Sequence, residues 1–257
     1  MMKVKRDMNG LTEDEFLKSY DVSKFERPSV TVDNLVFAID EIENNDIRKL
    51  NDKRLQVLLV YRENHPFIDK WCLPGGFIKM DETLEEASLR TLEEKTSVKD
   101  IYLEQLYTFG EINRDPRTRV IGVAYMALVN KKETKIVDES KNTDWFTIKQ
   151  IGDELILEND NGIIVRFPDL AFDHGKIIEY GLFRIRNKLE YTDIAFSLLP
   201  KEFTMAELQQ VYEVILDKKL TKANFQRKIK NKVQCLNKYK TGGFRPAMLY
   251  KYNGKKH

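Results

Sequence analysis

Leu73–Val98 reads LPGGFIKMDETLEEASLRTLEEKTSV. The spacing predicts a glycine-rich turn followed by one helix. Pro74-Gly75-Gly76 can turn sharply because glycine accepts positive φ and carries no Cβ. Thr83 with Glu86 three residues on forms a capping box, which sets the helix start. Leu84, Ala87 and Leu92 fall near one side of that helix and face a core. Thr91, Glu94 and Lys95 stand at i, i+3 and i+4 and share another side.

On both sides of this stretch the chain reads as strands. Val30–Asp40 and Arg54–Tyr61 are rich in β-branched residues and should pair, with a polar loop over 41–53. Ile101–Phe109, Val120–Val129 and Asp144–Ile148 add three more strands, with Trp145 in the core. Glu154–Phe167 predicts a β-hairpin, with Asn161-Gly162 as a two-residue turn. Leu170–Leu189 has helical spacing at Ile177, Ile178, Gly181, Leu182 and Ile185. Strands wrapped around a helix give an α/β sandwich. At the N-terminus, Thr12 and Glu15 form another capping box. Phe16, Leu17 and Tyr20 there are read as a cap on the body, with a dimer contact as the alternative.

The length of 257 residues suggests two domains. Composition is that of a soluble globular chain, 42% hydrophobic and 33% charged, and no apolar run is long enough to span a membrane. MMKVKRDMNG lacks the apolar stretch of a secretory signal. Two cysteines, Cys72 and Cys235, one in each half, read as free thiols of a reducing cytoplasm. The net charge of +2 hides an asymmetry: residues 196–257 hold 14 Lys/Arg against 4 Asp/Glu, a net of +10, which leaves −8 for the rest. A basic tail on an acidic body suits nucleic-acid binding; a solvated lysine-rich surface is the alternative.

In that tail, FTMAELQQVYEVIL opens on a capping box of Thr204 and Glu207. A second helix, TKANFQRKIKNKVQCL, buries Phe225, Ile229, Val233 and Leu236. Asn224, Arg227, Lys230, Asn231 and Gln234 are candidates to meet base edges, since Asn and Gln can read adenine and Arg guanine. Lys222, Lys228 and Arg245 would meet phosphates, which fix position without choosing sequence. KYKTGGFRPAMLYKY fits a strand-turn-strand wing. Two helices and a hairpin make a winged helix-turn-helix, whose second helix enters the major groove.

The helix stretch resembles the Nudix box, the signature of hydrolases that split nucleoside diphosphates linked to another group. Gly76, Glu82, Arg90, Leu92, Glu94 and Val98 fit its pattern. Thr91 and Lys95 stand where the family has glutamates, and Ser97 where it has glycine. In active members, carboxylates on this face hold Mg²⁺ against a pyrophosphate and assist the attacking water. Here three negative charges are replaced by Thr, Glu and Lys, which sum to zero. The resemblance therefore implies no confident catalytic residue; Glu82, Arg90 and Glu94 are residual positions, and Glu94 is the one candidate metal ligand.

LPGGFI, LRTLEEKTSV, EQLYTFG, NRDPR, VAYMALV, LAFDH, LLPKEFTMAELQQVYEVIL, NFQRKI and RPAMLY together resemble the Nudix-related transcriptional regulators of NAD metabolism. That resemblance implies a Nudix α/β/α sandwich with a mixed sheet over 1–195, ending in a linker helix, and a winged helix over 196–257. It implies a cytoplasmic homodimeric repressor that binds operator DNA, with ADP-ribose or a related NAD derivative as effector, no required cofactor and no membrane partner. Candidate ligand contacts are Arg62, Gly75, Gly76, Glu94, Lys95, Arg114 and Arg119. Arg62 is otherwise a surface salt bridge. The arginines around Asp115-Pro116 either fork onto phosphate or sit solvated beside a tight turn. His174 beside Asp173 fits a helix-start contact better than acid–base work. A sister branch of this architecture senses a sugar such as arabinose. A working, Mg²⁺-dependent hydrolase of ADP-ribose or another nucleoside diphosphate derivative is the remaining alternative.

Overall fold

The computed structural model describes residues 5–43, 50–96, 98, 101, 103–131, 142–241 and 246–254. Its centre is the long strand β1 (Ser29–Ile42), flanked on one side by β6 (Val120–Asn130) and on the other by β2 (Asp52–Tyr61). β1 runs parallel to β6, with Val32 opposite Val123, and antiparallel to β2, with Phe37 opposite Val57. The sheet is therefore mixed, in the order β5-β6-β1-β2-β7-β8-β9, with β3 (Trp71–Cys72) on β2 and β4 (Gly75–Phe77) on β1. The outer strands are β5 (Glu104–Phe109), β7 (Thr143–Ile151), β8 (Glu154–Glu158) and β9 (Ile164–Arg166).

Alternation along β1 sorts its side chains between two layers. Val36 and Ala38 pack with Leu92 of α2 (Leu84–Thr96), while Leu35, Phe37 and Ile39 pack with Ile177, Ile178, Leu182 and Ile185 of α3 (His174–Tyr191). The result is a three-layer α/β/α sandwich. α3 lies close on the sheet at Gly181, where a Cβ would collide with the Leu35 side chain. The Thr83–Glu86 capping box forms as expected, with Thr83 N–H donating to Glu86 Oε2 (2.8 Å) and Glu86 N–H to Thr83 Oγ1 (3.2 Å).

Four expectations need correction. Gly75 and Gly76 do not form a positive-φ turn; they are strand residues of β4. Glycine is required at Gly75 for close approach, since a Cβ there would meet the Val32 carbonyl oxygen. The hairpin turn between β8 and β9 is longer than two residues, because Glu158 pairs with Ile164 and Asn159 caps the loop through its bonds with Gly162 and Ile163. The N-terminal helix α1 (Glu13–Ser19) has its capping box but buries nothing. Phe16, Leu17 and Tyr20 are exposed; Phe25 stacks on Tyr20, and Phe16 meets it at a tilt.

The fourth correction lies in the tail. Its elements are β10 (Phe203–Thr204), α4 (Met205–Leu216), α5 (Lys222–Ile229), β11 (Val233–Lys240) and β12 (Ala247–Tyr252), with the strands in the order β10-β12-β11. α5 stops at Ile229, well before Leu236. Lys230–Lys232 form one 3₁₀ turn, and Val233 and Cys235 pair with Tyr252 and Tyr250 of β12. Pairing of Val233–Lys240 with β12 overrides the helical spacing. Ser97, Arg245 and the Gly242-Gly243 turn of the wing lie outside the described residues.

One buried cluster runs from Leu35 and Phe37 of β1, through Ile185 and Leu189 of α3, to Leu208 and Ile215 of α4 and Phe225 and Ile229 of α5. The two halves thus share a core. Ile185→Ala should cost about 2–5 kcal/mol, measured by urea denaturation. Far-UV circular dichroism and the fluorescence of Trp71 and Trp145 should give one coincident transition.

Candidate ligand pocket and DNA-binding face

A cleft of about 490 Å³ opens where β1, β3, β4, the C-terminal turn of α2 and the head of α3 meet. Of the seven residues expected to touch ligand, Arg62, Gly75, Gly76, Glu94, Lys95 and Arg114 line it. Arg119 does not; its Nη1 donates to the Glu111 carbonyl (2.9 Å) on an exposed loop. Arg117 from the same loop lines the cleft instead, 5.0 Å above the Phe77 ring and 5.8 Å from that of Phe172. Asp115 anchors it by accepting three hydrogen bonds, from the backbone N–H (3.0 Å), Nε (3.0 Å) and Nη2 (2.7 Å).

The floor is a buried charge network that sequence reasoning missed. Arg114 donates to Asp33 (3.0 Å) and forks onto Asp173 (3.0 and 2.8 Å). The Leu73 N–H donates to His174 Nδ1 (2.8 Å), and His174 Nε2 faces Asp33 at 3.5 Å. Burial raises the Asp33 pKa, but His174 and Arg114 outweigh it and hold the carboxyl below its usual range. Burial disfavours the charged form of His174, while the bond to Asp33 favours it. The Leu73 donor already fills Nδ1, so the geometry holds the neutral ring protonated on Nε2. His174 is the first residue of α3, as expected of a helix-start contact, and it braces β3 from there.

The Nudix-box helix presents a different set of groups from an active member. Thr91 is not on the pocket face. It is 1% exposed, accepts from Asn34 Nδ2 (3.1 Å) and donates to the Ser88 carbonyl. Arg90 takes up both surviving glutamates: Nε and Nη2 donate to Glu82 at 2.7 and 2.5 Å, and Nη1 to Glu94 at 3.1 Å. Glu82 also accepts the Lys79 N–H (2.7 Å), so it ties the loop to the helix and does not line the cleft. Among the described residues, no three or more His, Cys, Asp or Glu are grouped to hold a metal ion. With Lys95 at the remaining position, this donor set does not fit Mg²⁺, which wants several carboxylate or water oxygens.

Two cations of the cleft have no carboxylate partner among the described residues. Arg62 donates to the Pro66 carbonyl (2.8 Å) and sits 5.0 Å over the Phe172 ring, so it is not a surface salt bridge. Lys95 is exposed, and its ammonium makes no ion pair among the described residues.

On the tail, Phe225 and Ile229 anchor α5, leaving Lys222, Asn224, Arg227 and Lys228 exposed, with Lys230 and Asn231 just beyond its end. Arg227 Nη2 donates to Asn224 Oδ1 (3.2 Å), and Lys228 lies 5.9 Å over the Tyr212 ring. Gln234 is exposed on β11, so it belongs to the wing and not to the helix. No helix among the described residues is long and apolar enough to cross a membrane.

A Nudix sandwich whose metal face is dismantled, joined through a shared core to a winged helix, defines a Nudix-type regulator architecture. Residues 46–167 match the NUDIX domain, and residues 195–252 match the NrtR DNA-binding winged helix domain. The chain is 35% identical over 250 residues, 95% of its length and 90% of the relative's, to the ADPR responsive transcriptional repressor NtrR of Acinetobacter baylyi. It is similar to the crystal structure of Shewanella oneidensis NrtR complexed with a 27mer DNA: 32% identity, TM-score 0.62, covering 87% of this chain and 93% of that one. A MutT/nudix family protein from Enterococcus faecalis aligns with TM-score 0.74 and 28% identity, covering 95% of this chain and 94% of that one. The chain belongs to the NrtR family of Nudix-related transcriptional regulators.

Arg90 holds the Glu82 pKa down from 4.5 to about 2. That stabilisation is complete above about pH 4.5 and is lost as pH falls through 2. Arg90→Met should return the Glu82 midpoint to near 4.5, read from the side-chain carboxyl resonance by NMR.

Proposed function

We propose that this chain is a cytoplasmic, homodimeric transcriptional repressor whose Nudix half, residues 1–195, binds ADP-ribose and whose winged helix, residues 196–257, binds operator DNA. The observation that carries this reading is the charge exchange at the cleft. Arg62 and Lys95 lack carboxylate partners among the described residues, while Glu82 and Glu94 are taken up by Arg90. Such a cleft attracts a diphosphate and offers a divalent cation little. The aromatic rings of Phe77 and Phe172 beside Arg117 give the ligand's planar base an apolar surface to lie on. The repressor name of the Acinetobacter relative and the DNA complex of the Shewanella relative support the same reading.

At the DNA end, Asn224, Arg227, Lys230 and Asn231 face the bases and Lys222 and Lys228 the backbone, with Gln234 contributing from the wing. Two copies would place two α5 helices in successive major grooves of a palindromic site.

Fluorescence anisotropy with the DNA upstream of the chain's own coding sequence tests the reading. The expected result is tight, salt-sensitive binding whose affinity changes when ADP-ribose is added. Lys222→Ala should lower the salt slope by about 1 without relaxing sequence choice. Binding that ignores ADP-ribose, or no DNA binding at low salt, would contradict it.

A further inference from the structure

The head of α3 is also a wall of the ligand cleft. Three consecutive residues there hold three different pocket elements. Phe172, at φ +55, lies under the Arg62 guanidinium (5.0 Å) and edge-on to Phe67 (4.7 Å). Asp173 takes the Arg114 fork. His174 accepts the Leu73 N–H. At the other end of the helix, Ile185 and Leu189 are buried in the same core as Leu208 and Ile215 of α4. Arg186 Nε donates to the Ile215 carbonyl (3.0 Å). A helix of 18 residues, about 27 Å long, therefore joins the cleft to the base of the winged helix.

We propose that the Arg114–Asp173 ion pair is the coupling link between the two sites. Arg114 lines the cleft and spans Asp33 on β1 and Asp173 at the head of α3. A ligand phosphate is the same kind of partner for a guanidinium as a carboxylate. A phosphate drawn in by Arg62 and Lys95 competes with Asp173, and Arg114 stays paired throughout. Asp173 does not: its side chain is 8% exposed, and an unpaired carboxylate is not tolerated there. The head of α3 must shift to bring it to water, and the packed tail carries α4 with it. The inference rests on the cleft being an effector site. Asp173 and Arg186 are positioning residues in it, not ligand contacts.

The full-length chain tests it through one ratio, the operator affinity with ADP-ribose over that without, read by anisotropy. Calorimetry records ADP-ribose binding in parallel. In the wild type the ratio should depart from one by about 5–150-fold. Asp173→Asn should still bind both ADP-ribose and DNA, with the ratio brought within about twofold of one. Arg186→Met, at the far end of the helix, should reduce the ratio too, and it carries the test alone where Asp173→Asn does not fold. A wild-type ratio in both folded variants overturns the coupling link while leaving the effector reading intact. A wild type that does not bind ADP-ribose sinks the effector reading and the link together.

Discussion

The close approach of α3 to β1 at Gly181 is the constraint on which the rest of the molecule depends. A Cβ at that position would collide with the tip of the Leu35 side chain, which would have to move to admit it. With α3 seated on the Leu35 and Phe37 side chains of β1, its head reaches the cleft and its tail reaches α4. The core then runs without a break from the sheet into the winged helix. A linker of loose chain would keep the two halves independent; a helix packed along its whole length makes them one mechanical unit.

The chemistry of the cleft follows from how its charges are paired. Several acidic groups at the cleft and its helix are already committed: Glu82 and Glu94 to Arg90, Asp33 to Arg114 and His174, Asp115 to Arg117. The lining cations without a carboxylate partner among the described residues are Arg62 and Lys95. Replacing a metal-binding glutamate by lysine changes more than one position. It replaces a negative charge by a positive one at the end of the helix, which favours an anion over a cation there.

The sequence carried the sheet well because β1, β2 and β6 are long, β-branched and bounded by polar loops. It carried the box helix because Thr83 and Glu86 fix its start. It also placed Arg62 and Lys95 at the cleft through their positions beside the box. Other features depend on contacts far along the chain. Asp33, Arg114 and Asp173 meet only after β1 and α3 are stacked. Thr91 is withdrawn from the helix face by Asn34, 57 residues away. The apolar spacing of Phe225, Ile229, Val233 and Leu236 is helical, yet pairing with β12 turns its second half into a strand. The exchange of Arg119 for Arg117 was decided by Asp115, which pulls the nearer arginine into the cleft.

Calorimetric titration of ADP-ribose into the purified chain, once with magnesium and once with EDTA, tests the central claim most directly. The account predicts the same affinity in both buffers and full recovery of uncleaved ligand. Binding that disappears in EDTA, or AMP and ribose 5-phosphate in the recovered solution, would contradict it.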